Sequence, residues 1–141
     1  MNEELLAYAI LSVSGFDTKQ IFEERLNQIF IESDFDSDLL EMECMTIPDA
    51  MGYLRQHFNY QHFDQESLQK YLILTLKEFY LHLPFMEFAQ RIIELWDVLP
   101  FSTSREDSPF FMIYYFEILF ICEDFEVLKQ EIEDLVFYYD Q

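Results

Sequence analysis

DQESLQKYLILTLKEFYLHLPFMEFAQRIIELWDV, residues 64–98, is the stretch on which the fold turns. Leu68, Tyr71, Leu72, Thr75, Leu76 and Phe79 return at three- and four-residue spacing, the period of a helix with one apolar side. Asp64 stands where a carboxylate can accept the first free amides of that helix. The spacing predicts a helix from Gln65 to His82. Pro84 cannot continue it, and a partner helix is predicted from Phe85 to Val98.

Outward toward the C-terminus, Pro100 and the polar run 102–107 read as a loop. Ser108 followed by Pro109 is an N-cap and first-turn pair. The helix it opens is apolar on most sides through Cys122 and is expected to be central in the fold. Glu123 and Asp124 make a turn, and a last helix runs from Phe125 to Tyr139. An offset of 40 residues lays Phe85, Gln90, Ile92 and Leu95 on Phe125, Gln130, Ile132 and Leu135, as in paired helical hairpins. No tetratricopeptide or ankyrin signature accompanies that match.

Toward the N-terminus, a helix is expected from Glu3 to Val13, closed by Gly15. Asp17 and Gln20 have the spacing of a capping box for a second helix ending near Glu32. After the turn at 33–38, Leu39, Leu40, Met42 and Met45 would form the buried side of a short third helix, although 39–46 also reads as extended. Pro48 opens a fourth helix to about Phe58. Only two glycines occur, too few for the turns of a many-stranded β fold. The expectation is an all-α single domain over 1–141, an irregular bundle of six to seven helices. Shorter helices fill 1–63, and two stacked hairpins fill 64–141.

The chain of 141 residues carries 28 acidic and 8 basic side chains, a formal charge of −20, yet 51% of it is apolar. That apolar content argues against disorder. The charge argues against nucleic acid or an anionic membrane as a direct ligand and favours a basic protein partner. Residues 1–49 hold 12 acids and two bases, 50–105 six acids and five bases, and 106–141 ten acids and one base. The charge is thus concentrated at the two ends. Met-Asn-Glu-Glu is the wrong charge for a signal peptide, and the expected compartment is the cytoplasm. Cys44 and Cys122 lie in apolar stretches and read as buried free thiols.

No phosphate-binding glycine loop is present. Asp34, Asp36 and Asp38 match the first positions of a calcium loop, but Leu39 and Met45 occupy the positions that need glycine and glutamate. His57 and His62 lack metal-ligand spacing, and Glu78 with His82 makes at most a helical pair. The sequence therefore predicts no enzyme, no cofactor and no metal.

The expected binding residues are Asp34, Asp36, Asp38 and Glu41 near the start, with Glu126, Glu133, Asp134 and Phe137 on the last helix. Phe137 is read as an aromatic ringed by carboxylates. If the two acidic sets merge, they would form one docking face for a basic partner. The expected function is an inhibitor or immunity-type protein that plugs the cationic groove of a nucleic-acid-handling protein or nuclease toxin. No family motif carries this; immunity proteins and nucleic-acid mimics are functional classes that work on the same physical principle. The alternative is a helical-repeat adaptor or structural subunit, binding a peptide or helix through Tyr71, Tyr80, Tyr114 and Tyr115.

Overall fold

Apolar residues at helical spacing take up most of the chain, and in the computed structural model they form eight α-helices and no strand among the described residues. The described residues are 2–34, 36–57, 63–100 and 105–140. In order the helices are α1 (Asn2–Val13), α2 (Lys19–Glu32), α3 (Ser37–Glu43), α4 (Ile47–His57), α5 (Gln65–His82), α6 (Phe85–Val98), α7 (Ile113–Ile121) and α8 (Phe125–Val136). The fold is all-α, as the periodicity predicts, and 39–43 is helical, not extended. The chain divides into two compact units, Met1–Leu68 and Gln69–Gln141.

In the first unit α1 is the centre. Leu5, Leu6, Ala7, Ala9, Ile10 and Leu11 are all buried, so the middle of this helix is enclosed, and Val13 at its end is exposed. α2 and α4 pack on it, and α3 packs on α2. Gly15, at φ 105°, makes the left-handed turn out of α1 that a side chain would resist. The entry to α2 departs from the predicted capping box. Thr18 precedes the helix and makes no side-chain cap. Its buried hydroxyl instead donates to the Tyr8 carbonyl at 2.6 Å, tying α2 to α1. The Gln20 amide donates to Glu24 on the same helix, so no box forms.

A second tie is ionic. The Arg25 guanidinium meets the Glu4 carboxylate at 3.0 Å, and the Tyr8 hydroxyl donates to the same group. Asp64 accepts from the Glu66 and Ser67 amides as expected. Its own amide donates to Glu3 at 2.9 Å. In α3, Leu39 and Met42 are buried but Leu40 is exposed, because a seven-residue helix buries one side only. Cys44 is exposed, contrary to the buried thiol expected. Residues 58–62 and 101–104 lie outside the described residues, as does the His57 side chain.

In the second unit α6 packs against α7 and α7 against α8. α5 joins α6 through Tyr80 and Phe88, whose rings meet edge-on at 5.3 Å. α6 buries Phe88, Ala89, Ile92 and Leu95. α8 buries Leu128, Ile132, Leu135 and Val136. Ser108 caps as expected, accepting from the Phe110 amide at 3.2 Å, but it opens a 3-10 turn, Pro109–Met112, before α7 begins. A second 3-10 turn, Tyr138–Asp140, replaces the last turn predicted for α8.

The expectation that α7 is central is overturned. Of its nine residues only Ile113 and Phe116 are buried. Tyr114, Tyr115, Ile118 and Ile121 are 58%, 49%, 63% and 68% exposed, and Cys122 is exposed beside them. The helix packs on α6 and α8 along one side, and its remaining apolar side faces solvent.

The Thr18 hydroxyl is testable by an isosteric change. Thr18→Val should lower stability by about 1 kcal/mol, read from the urea midpoint. Thr18→Ser should retain most of it.

Candidate protein-binding surface

The predicted binding residues fall in different units. Asp34, Asp36, Asp38 and Glu41 belong to the first unit, and Glu126, Glu133, Asp134 and Phe137 to the second. The expected merger of the two acidic sets crosses that division, so each is described as a surface of its own unit.

In the first set, Asp34 is exposed and left-handed at φ 58°, a conformation that a short polar side chain tolerates. Asp36 is exposed, and its carbonyl accepts from the Leu40 amide as α3 begins. Asp38 lies within α3, but its side chain is outside the described residues. Glu41 is exposed and accepts from the Tyr53 hydroxyl at 3.5 Å, a weak contact. Among the described residues no three of His, Cys, Asp and Glu stand close enough to hold a metal ion.

In the second set, Glu126 is exposed on the first turn of α8. Glu133 accepts from the Tyr80 hydroxyl at 3.0 Å, and Asp134 accepts from the Gln130 amide at 2.9 Å. Phe137 is not the projecting anchor expected. It is half-buried, edge-on to Tyr80 at 5.9 Å, with the Lys77 ammonium 5.8 Å from its ring centre. α8 ends at Val136, so Phe137 leaves the helical wheel that placed it among the acids. Lys77 also pairs with Asp140 at 2.6 Å. Among the described residues His82 makes no carboxylate pair; its ring nitrogen lies 2.7 Å from the Glu78 carbonyl.

Two groups in this cluster are electrostatically displaced. Burial pushes the Tyr80 phenol up to about 12, and the hydrogen bond and charge of Glu133 add to it. Glu131 is raised above its ordinary 4.5, first by burial and then by repulsion from Asp134. One of its oxygens is buried without a hydrogen-bond partner.

The more telling surface lies between α6 and α7. Trp96, Phe111, Tyr114 and Tyr115 form a connected set of rings, with centroids 5.2 to 6.1 Å apart. Beside them is a groove of about 460 Å3 lined by Ile93, Trp96, Tyr114 and Ile121 together with three carboxylates, Glu94, Asp97 and Glu117. All three carboxylates are exposed, and among the described residues no lysine or arginine pairs with them. The nearest base in sequence, Arg91, is held by Glu87 one turn away on α6.

Of these residues only the two tyrosines are among those expected from sequence, and only for the adaptor alternative. A near balance of acids and bases over 50–105 hides the local charge, because Arg91 and Lys77 are committed to Glu87 and Asp140. One sequence signal points to the groove. Glu117 interrupts an otherwise apolar helix and has to face water. Tyr114, Ile118 and Ile121 lie three before, one after and four after it, on the same side.

No family model, curated protein or solved structure matches this chain. Among the described residues no helix is long and apolar enough to cross a membrane.

The two displaced groups titrate in the same sense, since both are raised and each loses its contribution to stability as the pH rises, one in the alkaline range and one in the carboxylate range. A phenol held protonated above its ordinary 10.0 adds stability that is present below that pH and lost as the pH rises toward 12. Tyr80→Phe should cost about 1 kcal/mol at neutral pH, and its Tm should fall less steeply than the parent's over that alkaline window. A raised carboxyl adds stability in acid that is lost as the pH rises through its folded value. Glu131→Gln should therefore raise Tm at neutral pH, and the gain should vanish as the pH falls through the carboxylate range.

Proposed function

We propose that this protein is a non-enzymatic binder of a basic partner protein, acting as an inhibitor or immunity-type protein against a nucleic-acid-handling partner such as a nuclease toxin. The observation that carries the reading is the α6–α7 surface of the second unit. It combines exposed Tyr114, Ile118 and Ile121 with Glu94, Asp97 and Glu117, which no lysine or arginine among the described residues pairs with. Apolar side chains that the fold leaves in water favour a partner. Carboxylates around them favour a positively charged one and repel nucleic acid.

Glu126, Glu133 and Asp134 extend the same bias along α8, and no lysine or arginine among the described residues pairs with them. The excess of 28 acids over 8 bases supplies the long-range attraction. A basic groove that handles nucleic acid is the protein surface most nearly complementary to this chemistry.

The adaptor reading is supported by the same groove, taken as an aromatic slot filled through apolar contacts. Salt separates the two, since charge-led capture weakens as ionic strength rises and apolar docking does not.

The test immobilises the full chain, captures partners from native extract at low salt and elutes with a salt gradient. The expected result is a basic protein released by salt, whose action on nucleic acid is blocked by an equimolar amount of this chain. Glu126→Gln, Glu133→Gln and Asp134→Asn together should slow association with it by about tenfold and leave the circular dichroism unchanged. A partner that resists salt, or one whose activity continues in the complex, would sink the inhibitor reading.

A further inference from the structure

We infer that the α6–α7 groove seats one amphipathic, lysine- or arginine-rich helix of the partner. Tyr114, Ile118 and Ile121 would be its apolar ridge, and Glu94, Asp97 and Glu117 its charge contacts. The inference rests on the basic-partner reading and names the element of the partner that this site takes.

The shape argues for a helix. Tyr114, Glu117, Ile118 and Ile121 are spaced three, four and seven residues from the first, so they form one stripe two turns long. All four are exposed. Two helices packed side by side leave a furrow whose ridges accept the side chains of a third. An apolar face with anchors at every third or fourth residue is the partner that such a furrow takes. One end of the groove is prearranged, because Trp96 and Tyr114, which line it, are braced edge-on and stacked with Phe111. Little side-chain entropy is lost when such rings are covered.

The charge selects among helices. A basic flank meets three carboxylates that Arg91, occupied by Glu87, does not neutralise. An acidic helix would meet repulsion. So would a second copy of this chain: in a symmetric pair the three carboxylates would confront their own copies.

Trp96 is the only tryptophan of the chain and lines the groove, so its emission reports occupancy directly. The probe is a synthetic helix of leucine and lysine, about 18 residues or 27 Å long. Its controls are a twin with glutamate for lysine and a scrambled peptide with no apolar face. All are titrated into the full chain at low and moderate salt. The lysine helix should shift Trp96 to the blue and bind about tenfold more tightly than the scrambled peptide, and the glutamate twin should leave Trp96 unchanged.

Ile118→Arg, at an exposed position, should weaken binding by about tenfold with circular dichroism unchanged. Glu94→Gln, Asp97→Asn and Glu117→Gln together should remove most of the salt dependence. The same charge change made on α2 (Glu23→Gln, Glu24→Gln, Glu32→Gln) should alter affinity by less than about threefold.

A silent Trp96, or equal affinity in Ile118→Arg, overturns the inference. So does a dimer in sedimentation that Ile118→Arg abolishes, since a second copy would then own the groove. If Trp96 is silent while extract still yields a salt-released basic partner, the helix seat fails and the functional reading stands. If Trp96 responds but extract yields no such partner, the groove's chemistry is upheld and the functional reading fails.

Discussion

Twenty-eight carboxylates have to stay hydrated while half of the chain has to leave water. Both demands are met by helices that turn apolar residues inward and leave most of the acids in water. Among the described residues the exception is Glu4, the acidic side chain that is buried. It is tolerated because Arg25 and Tyr8 both reach it, and a buried charge without such partners would cost several kcal/mol, on the order of 3 or more. With eight bases in the chain, few acids can be matched in this way. Arg25, Lys77, Arg91 and Arg105 are committed to Glu4, Asp140, Glu87 and Asp107.

The same scarcity decides where negative charge is left over. It is left at Glu94, Asp97 and Glu117 because the one base on α6 turns to the carboxylate a turn earlier. Segment totals could not reveal this, since charge pairs in space. The α6 side of the groove is therefore anionic inside a stretch of sequence that is nearly neutral, and Glu117 adds a carboxylate from the acidic C-terminal stretch.

α1 and α7 pose the sharpest contrast. Both are apolar on most sides, and such a helix is stabilised by being covered. α1 is covered by its own unit. α7 has α6 and α8 on one side, and nothing among the described residues covers Tyr114, Ile118 and Ile121. Two isoleucines left mostly in water forgo on the order of 3 kcal/mol of burial. A docked partner would recover that free energy. Apolar contact of this kind lengthens residence, and the surrounding carboxylates speed encounter. The two effects act on different rate constants, which is why salt and ridge substitutions report on separate parts of the surface.

Periodicity located the helices, though not every end of them. The Gln65–His82 and Phe85–Val98 boundaries, the Gly15 turn, the Asp64 cap and the Ser108 cap all rest on neighbours within a turn, which local spacing encodes. The role of Thr18 is not legible in that spacing, because its hydroxyl serves a carbonyl ten residues back, on another helix. Phe137 departs from its helical-wheel position because α8 ends one residue earlier and Tyr80, far away in sequence, covers the ring. Which of two mostly apolar helices becomes the core was beyond the sequence for the same reason. Hydrophobicity says that a face must be covered, and only the tertiary packing decides whether this chain or another molecule covers it.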